Sequence, residues 1–377
     1  LATLLVWTLV IGESFAFAIT LAITVLVIAC PHALGLAIPT VTTIATSLAV
    51  RNGFFIKDLS KIEVIRQTDY VVFDKTGTLT EGEFGVTKIV ALKGGDETNI
   101  LRIAASLEQH SSHIIGQSIQ AHAKAKQVRL TSISDFKNLA GMGVEAKIEG
   151  KAYFAGNERL MRSLKLNFET PKDSLGTIVF VADENELLGY IVLSDAIKKT
   201  SFEAIKTLHQ MGIKVAMLTG DNEGVAADVS KELGIDTYFA NVLPENKYEH
   251  IKKLQAEGNV VLMVGDGVND APALTQANAG VAIGAGTDVA VESGDVVLMD
   301  NDPEDIPRLI TLSKKVYSKM IQNLVWALGY NIVAIPAAAG VFAVWGFFLR
   351  PEVGALVMSL STVIVVANAM TLKRVSL

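Results

Sequence analysis

The sequence predicts membrane-spanning helices joined to an α/β region: a doubly wound parallel sheet into which a smaller α+β domain is inserted. Three observations carry this. Of the 377 residues, 50% are hydrophobic and only 19% charged, a more apolar balance than soluble domains show. Long apolar windows lie at both ends of the chain. Between them, apolar strand-like runs that end in polar, glycine-containing turns alternate with amphipathic helical stretches, the signature of a parallel sheet with crossover helices.

A bilayer-crossing helix needs about 20 mostly apolar residues. Windows 15–49, 324–348 and 353–372 meet that need, residues 1–12 resemble the end of a further span, and Glu13 and Ser14 form a tight turn after it. Arg51, Lys57 and Lys61 follow the first full span, Lys314, Lys315 and Lys319 precede the second, and Lys373 and Arg374 follow the third. Basic residues mark the cytoplasmic side, so "GFFLRPEVG" lies outside and the long middle forms a cytoplasmic insertion. The net charge of −6, with both signs mixed along the chain, excludes a nucleic-acid-binding surface as the working expectation. A single cysteine rules out an internal disulfide. The chain opens without methionine inside an apolar run and lacks the basic flank of a signal peptide, which predicts a piece of a longer protein.

In the middle, "TDYVVFDKTGTLT" reads as a buried strand, Tyr70 to Phe73, running into a polar turn; "KVAMLTGDN" and "NVVLMVGDGVNDAP" repeat the pattern, with helical stretches such as "SFEAIKTLHQMG" and "GVAADVSKELG" between them. Ligands of such sheets sit at the carboxyl ends of the strands, so three strand ends aim polar residues at one place. Residues 83–193 read as the inserted domain, with a helix near 100–126 and strand-like "GVEAKIEG" and "GTIVFVAD". The expected division is 1–57 for the first membrane helices, 58–82 with 194–313 for the sheet domain, 83–193 for the insert and 314–377 for two last membrane helices. No internal repeat or low-complexity segment is evident.

Asp74, at the end of a buried strand in a Thr- and Gly-rich turn, is placed to attack phosphorus, because backbone N–H groups and a magnesium ion can stabilise the developing charge. Taken alone, an Asp there is more often a turn cap. The other strand ends change that balance: Asp266 and Asp270 in "GDGVND" suit a hard cation, Thr219 and Asp221 stand in "TGD", and Lys247 in "LPENK" offers a cation for a phosphate. No G-x-x-x-x-G-K-[ST] run occurs, which excludes a P-loop enzyme at the level of motifs.

These residues resemble a P-type ATPase, a member of the haloacid dehalogenase superfamily of phosphotransferases. Asp74 to Thr80, "TGDN" and "GDGVNDAPAL" match that family's three cytoplasmic signatures in order. The resemblance implies that Asp74 accepts the γ-phosphoryl group of ATP, with Lys75 and Thr76 beside it. It further implies Mg²⁺ held by Asp74, the Thr76 carbonyl and Asp266 with Asp270 assisting in its shell, phosphate contacts from Thr219 and Lys247, and Gly220 and Asp221 among the catalytic residues. The insert becomes the nucleotide-binding domain. Heavy-metal members carry Ser-Glu-His-Pro in its first helix; "QHSSHIIG" puts Ser112 and Ile114 at the Glu and Pro positions and keeps His113 for the adenine. Gly141, Gly143, Gly156 and Asn157 resemble positions where the backbone approaches the nucleotide. His110, His122, His209 and His250 read as surface residues.

"VLVIACPHALGLAIP" puts Cys30, Pro31 and His32 inside an apolar run. Proline in a membrane helix removes a hydrogen bond and frees a carbonyl, so Pro31 is expected to unwind the helix there and turn both donors toward a cavity. Thiolate and imidazole select soft or borderline metals, and ionisable groups at membrane depth are functional by default. Cys-Pro-His resembles the copper-transporting subgroup associated with Cu(II), with Cu(I) and Ag(I) also attached to it. Tyr330, Asn331, Met358 and Ser361 match that subgroup's later patterns and complete the expected transported-metal set. Ser359, Thr362 and Asn368 stay open between ligation and helix packing.

The resemblance implies ATP-driven copper export by a protein of the plasma membrane with cytoplasmic catalytic domains. It also implies a copper donor protein as a further partner, and that this chain is a C-terminal fragment lacking the actuator domain. Transport of silver, zinc or cadmium by the same mechanism stays open, as does a membrane-tethered phosphatase. The phosphatase needs an acidic residue two positions after the nucleophile, where Thr76 stands; the zinc pumps are expected to carry charged residues in these spans, which the windows above lack.

Overall fold

The computed structural model describes residues 1–111, 113–168, 176–266, 269–284 and 292–374. In chain order the elements are α1 (Ala2–Leu5), α2 (Phe15–Ile28), α3 (His32–Arg51), β1 (Phe54–Ile56), α4 (Lys61–Ile65), β2 (Tyr70–Asp74), β3 (Thr80–Ala91), α5 (Glu97–Leu107) and α6 (Ile114–Ala125). Then come β4 (Ile133–Leu139), β5 (Gly143–Ile148), β6 (Lys151–Gly156), α7 (Glu158–Ser163), β7 (Thr177–Asp183), β8 (Leu187–Ile197), α8 (Lys199–Gln210), β9 (Lys214–Leu218) and α9 (Glu223–Leu233). The chain continues through β10 (Thr237–Phe239), α10 (Lys247–Ala256), β11 (Val261–Gly265), α11 (Ala271–Gln276), β12 (Ala279–Ile283), β13 (Val296–Leu298), α12 (Asp305–Ala338) and α13 (Pro351–Met370).

These residues form two compact units, one of Leu1–Thr68, Asn278–Asn301 and Asp305–Leu377, the other of Asp69–Ala277 with Asp302–Glu304. The first holds three stretches long and apolar enough to cross a membrane: Phe15–Arg51, Asp305–Ala338 and Pro351–Arg374. Ser14 caps α2, its hydroxyl accepting from Phe17 N at 3.2 Å. The first stretch is broken where the sequence predicts: α2 ends at Ile28, and Pro31 is the N-cap of α3. Small side chains let the helices approach. Ala33, Ala37 and Ala327 pack with Val365, and a Cβ on Gly354 would come within 3.1 Å of Ile28. Short strands β12 and β13 pair in parallel, and β1 joins β13 antiparallel.

Helix α12 departs from expectation. It runs unbroken for 34 residues from Asp305, well before the apolar window, because the charged residues preceding that window sit on a helix rather than in a loop. It ends at Ala338, and Gly340 turns the chain at φ 86°; residues 339–348 therefore belong to the connection.

In the second unit β11, β2, β9 and β10 pair in parallel in that order. Tyr70–Asp74 is buried at every position, as a central strand covered on both faces must be, and each large apolar side chain there contributes roughly 1.5–3 kcal/mol. The inserted sheet is antiparallel, in order β3-β8-β7-β6-β5-β4. Helix α5 lays Ile100, Leu101, Ala104 and Leu107 against its face, over Val181 and Ile191. The single helix expected near 100–126 is two helices. Glu108 ends α5, Ser111 is extended at ψ 128°, and His113 caps α6.

Candidate functional site

Strands β2, β9 and β11 end side by side, with Asp74 opposite Leu218 and Phe73 opposite both Met217 and Val264. Asp74, Thr219 and Asp266 thus leave neighbouring strands at one edge. The turn after Asp74 needs Gly77, whose φ of 73° is open to glycine at no steric cost. Lys247 Nζ, at the start of α10, donates to Asp74 Oδ1 at 2.6 Å and to Asp270 Oδ1 at 2.7 Å. All three side chains are buried. Among the described residues Asp270 Oδ2 is buried without a hydrogen-bond partner.

Burial, then the nearby Asp270 and more weakly Asp266, push the Asp74 carboxyl up to about 7 against the pull of Lys247. Burial raises Asp270 as well. Burial would lower Lys247, yet the two carboxylates outweigh it and hold the ammonium above its usual range. One ammonium serves two buried carboxylates, and a buried carboxylate oxygen with no hydrogen-bond partner among the described residues supplies a hard donor. Residues of this kind fit Mg²⁺, which takes one or two carboxylates with waters and substrate phosphates. Among the described residues no three His, Cys, Asp or Glu side chains form a ready-made metal cage.

Thr219 is buried and its hydroxyl accepts from Asp221 N at 3.1 Å. Asp221 itself pairs with Lys75, so this lysine ties β2 to β9. Thr76 and Gly220 are exposed at the mouth.

Residues the motif reading did not single out brace the Asp74 turn from behind. Asp195, at the end of β8, accepts from Thr80 Oγ1, and from Gly82 N at 2.8 Å. Buried Lys198 donates to the Thr78 carbonyl at 3.0 Å and the Gly77 carbonyl at 3.3 Å, and Ser201 donates to the Leu79 carbonyl at 2.7 Å. Burial pushes Lys198 down, opposed by Glu81, Asp302 and Asp195. The only signal in the sequence is an apolar strand ending in Asp-x-x-Lys before a helix; the pairing of β8 with β3 is what gives it meaning.

In the insert a cavity of about 280 Å³ is lined by Glu108, His113, Gly141, Gly143, Gly156 and Asn157. Gly143 and Gly156 face each other across β5 and β6. A Cβ on Gly143 would come within 2.2 Å of the Ala155 carbonyl, and one on Gly156 within 2.2 Å of the Met142 carbonyl. The close approach they permit is therefore first between the strands themselves. Asn157 caps α7 and donates to the Gly141 carbonyl at 2.9 Å. His113 Nδ1 accepts from Ile115 N at 3.3 Å, which fixes the exposed imidazole at the rim. Glu108, missed in the sequence, is buried and pushed up by that burial. Ser112 lies outside the described residues.

In the membrane unit Cys30 and His32 flank the helix break, and both are exposed. Tyr330 and Ser361 share a cavity of about 110 Å³ between α12 and α13. Among the described residues Tyr330 Oη and Asn331 Oδ1 are buried without hydrogen-bond partners, and Ser361 and Thr362 both donate to the Met358 carbonyl, at 2.7 and 3.2 Å. That cavity's lining includes neither Cys30, His32, Asn331 nor Met358. The helix that carries the second apolar window also carries basic residues from before it. Lys319 lies within α12 and donates to Asn368 of α13 at 3.0 Å.

A haloacid dehalogenase-like hydrolase family profile matches residues 68–278. A copper-exporting P-type ATPase B of Archaeoglobus fulgidus is 50% identical over 98% of this chain and 54% of its own length. A probable copper-transporting P-type ATPase B of Staphylococcus aureus is 46% identical, over 98% of this chain and 56% of its own length. Among solved structures, a zinc-transporting PIB-type ATPase in the E2.Pi state aligns over 98% of this chain and 60% of that one, with TM-score 0.81 and 32% identity. The catalytic domain of the CPx-ATPase CopB-B aligns over 70% of this chain and 98% of that one, with TM-score 0.50 and 34% identity. The chain spans about half the length of the curated relatives it matches.

Proposed function

Because the chain belongs to the haloacid dehalogenase-like hydrolases and, among them, to the heavy-metal-transporting P-type ATPases, we propose that it carries the catalytic and metal-binding parts of an ATP-driven copper exporter. The observation that carries the catalytic half is the buried group of Asp74, Asp270 and Lys247 at the ends of parallel strands. Asp74 Oδ attacks the γ-phosphorus of ATP, the bond to the β-phosphate oxygen breaks, and ADP leaves; water later hydrolyses the aspartyl phosphate to inorganic phosphate. Mg²⁺, when bound, neutralises charge on the transferring phosphoryl group. Lys247 holds Asp74 for attack, Thr219 offers its hydroxyl to the phosphoryl oxygens while its amide stays bonded to the Phe239 carbonyl, and the Asp195–Lys198 brace keeps the turn from collapsing. The insert's cavity takes the adenosine, with His113 and Glu108 against the base.

Copper is supported by the donor types. Thiolate, imidazole and thioether at Cys30, His32 and Met358 suit it, and the relatives at 46–50% identity are named for copper while the zinc-transporting neighbour is at 32%. The plasma membrane, cytoplasmic catalytic domains and a copper donor protein belong to the same proposal. The test is acid-stable labelling from γ-labelled ATP in the presence of copper. Asp74→Asn is expected to carry no label at any ATP concentration, and a labelled variant would remove the assignment.

A further inference from the structure

The first two turns of α3 lie between Pro31 at the N-cap and Pro39 inside the helix. Pro39 has no N–H to offer the carbonyl one turn back. Beyond it the helix is loosened again: Thr40 turns its hydroxyl onto the Leu36 carbonyl, and Thr42 and Thr43 donate to the Pro39 carbonyl at 3.0 and 2.8 Å, a pattern that bends helices. The piece bearing His32 is thus short, stiff within itself and soft at both ends.

Among the described residues, one side-chain hydrogen bond reaches this piece from another helix: Asn323 Nδ2 donates to the Ala37 carbonyl at 3.1 Å. Asn323 is completely buried. Its Oδ1 accepts from Asn368 Nδ2 at 2.8 Å, and Asn368 Oδ1 accepts from Lys319 Nζ at 3.0 Å. An ammonium can only donate, so the direction of every link is set. Lys319 holds the Asn368 oxygen, the Asn368 amide nitrogen then meets the Asn323 oxygen, and the Asn323 nitrogen is left for the α3 main chain. Asparagines often join membrane helices; here the joined piece is bounded by prolines and has no other such tie.

We propose that Asn323 is a positioning residue that sets the register of the Cys30-Pro31-His32 segment against α12 and α13, and through it the affinity for the transported metal. The inference rests on the reading of Cys30 and His32 as ligands. Groups that orient metal ligands typically change metal affinity about 10–100-fold when removed. In membranes containing the protein, Asn323→Leu, close to isosteric, is expected to raise the copper concentration for half-maximal aspartyl-phosphate formation about tenfold, with maximal labelling and ATP affinity unchanged. Asn368→Leu leaves the Ala37 bond but removes its fixed direction, and is expected to shift copper dependence in the same sense by less. It tests the chain independently should Asn323→Leu not fold. The double variant should match Asn323→Leu alone, since both act in one chain. Unchanged copper dependence, or an equal loss of label at every copper concentration, would overturn the proposal. Cys30→Ala run in parallel separates the two readings: if it leaves the copper response intact, the transport site itself falls; if it abolishes the response while both asparagine variants behave as wild type, only the register role falls.

Discussion

Asp74 shares a single ammonium with Asp270 and sits near 7 because burial and its acidic neighbours disfavour its charge. A protonated carboxyl is no nucleophile, so the rate of labelling at limiting magnesium is expected to fall as pH drops below about 7, and a higher magnesium concentration should move that fall to lower pH. The same shift has a sign for stability. A carboxyl raised on folding takes up protons between its unfolded and folded values, so the cation-free protein gains stability from this group as pH falls through 7 toward 4 and loses it above 7. Asp74→Asn should accordingly melt higher than wild type at pH 8 without magnesium, by roughly 2–4 °C if the relief is about 1 kcal/mol in a unit of this size. Equal melting temperatures at pH 8 would show that Lys247 already neutralises the pair. The gathering of Asp74 and Asp266 at one strand edge was legible because each closes an apolar run, with Asp270 four residues on; the placement of Glu108, Asp195 and Lys198 was not, since it comes from strand pairing and helix breaks that a linear pattern does not contain.

Among the elements, β5 and β6 depend on facing glycines. Gly156→Val would drive a side chain into the Met142 carbonyl and the Leu160 methyl, overpacking that costs about 1–3 kcal/mol. It would also part the strands that form the cavity wall. We expect weaker binding of a fluorescent ATP analogue together with a lower melting temperature, while Gly150→Val, strained at its φ of 82° but with open space around it, should lower the melting temperature and spare the cavity. Hydropathy found the lipid-depth part of α12 but not its 19 earlier residues from Asp305, because helix formation does not require an apolar sequence and a charged first half reads as a loop. The break at Pro31 was legible for the opposite reason: proline acts through the backbone wherever it stands.

For the whole molecule, composition and periodicity pointed to membrane helices and an α/β region with an insert, but the residues 58–68 and 278–301 expected in the sheet domain group with the membrane helices. The candidate donors of the transported metal come from three spans, and Tyr330 and Ser361 line one cavity. Two relatives named for copper and a structural neighbour named for zinc set the comparison to make. Donor chemistry predicts that copper stimulates ATP hydrolysis and labelling more than zinc across a metal panel, and stronger stimulation by zinc would reverse the choice.

The strands β3 and β8 run side by side from Thr80 opposite Ile197 to Ala91 opposite Gly189, with register shifts after Thr80 and Val86. A doubled ribbon with irregular steps near its root behaves like a leaf spring. It bends easily about one axis and resists stretching and twisting about the others. If the cavity of the insert holds adenosine as proposed, such a ribbon would let this cradle swing toward the acid-bearing edge along a single arc, and a ligand with a triphosphate would be needed to deliver a terminal phosphorus there. Nucleosides and monophosphates would occupy the cradle as silent competitors.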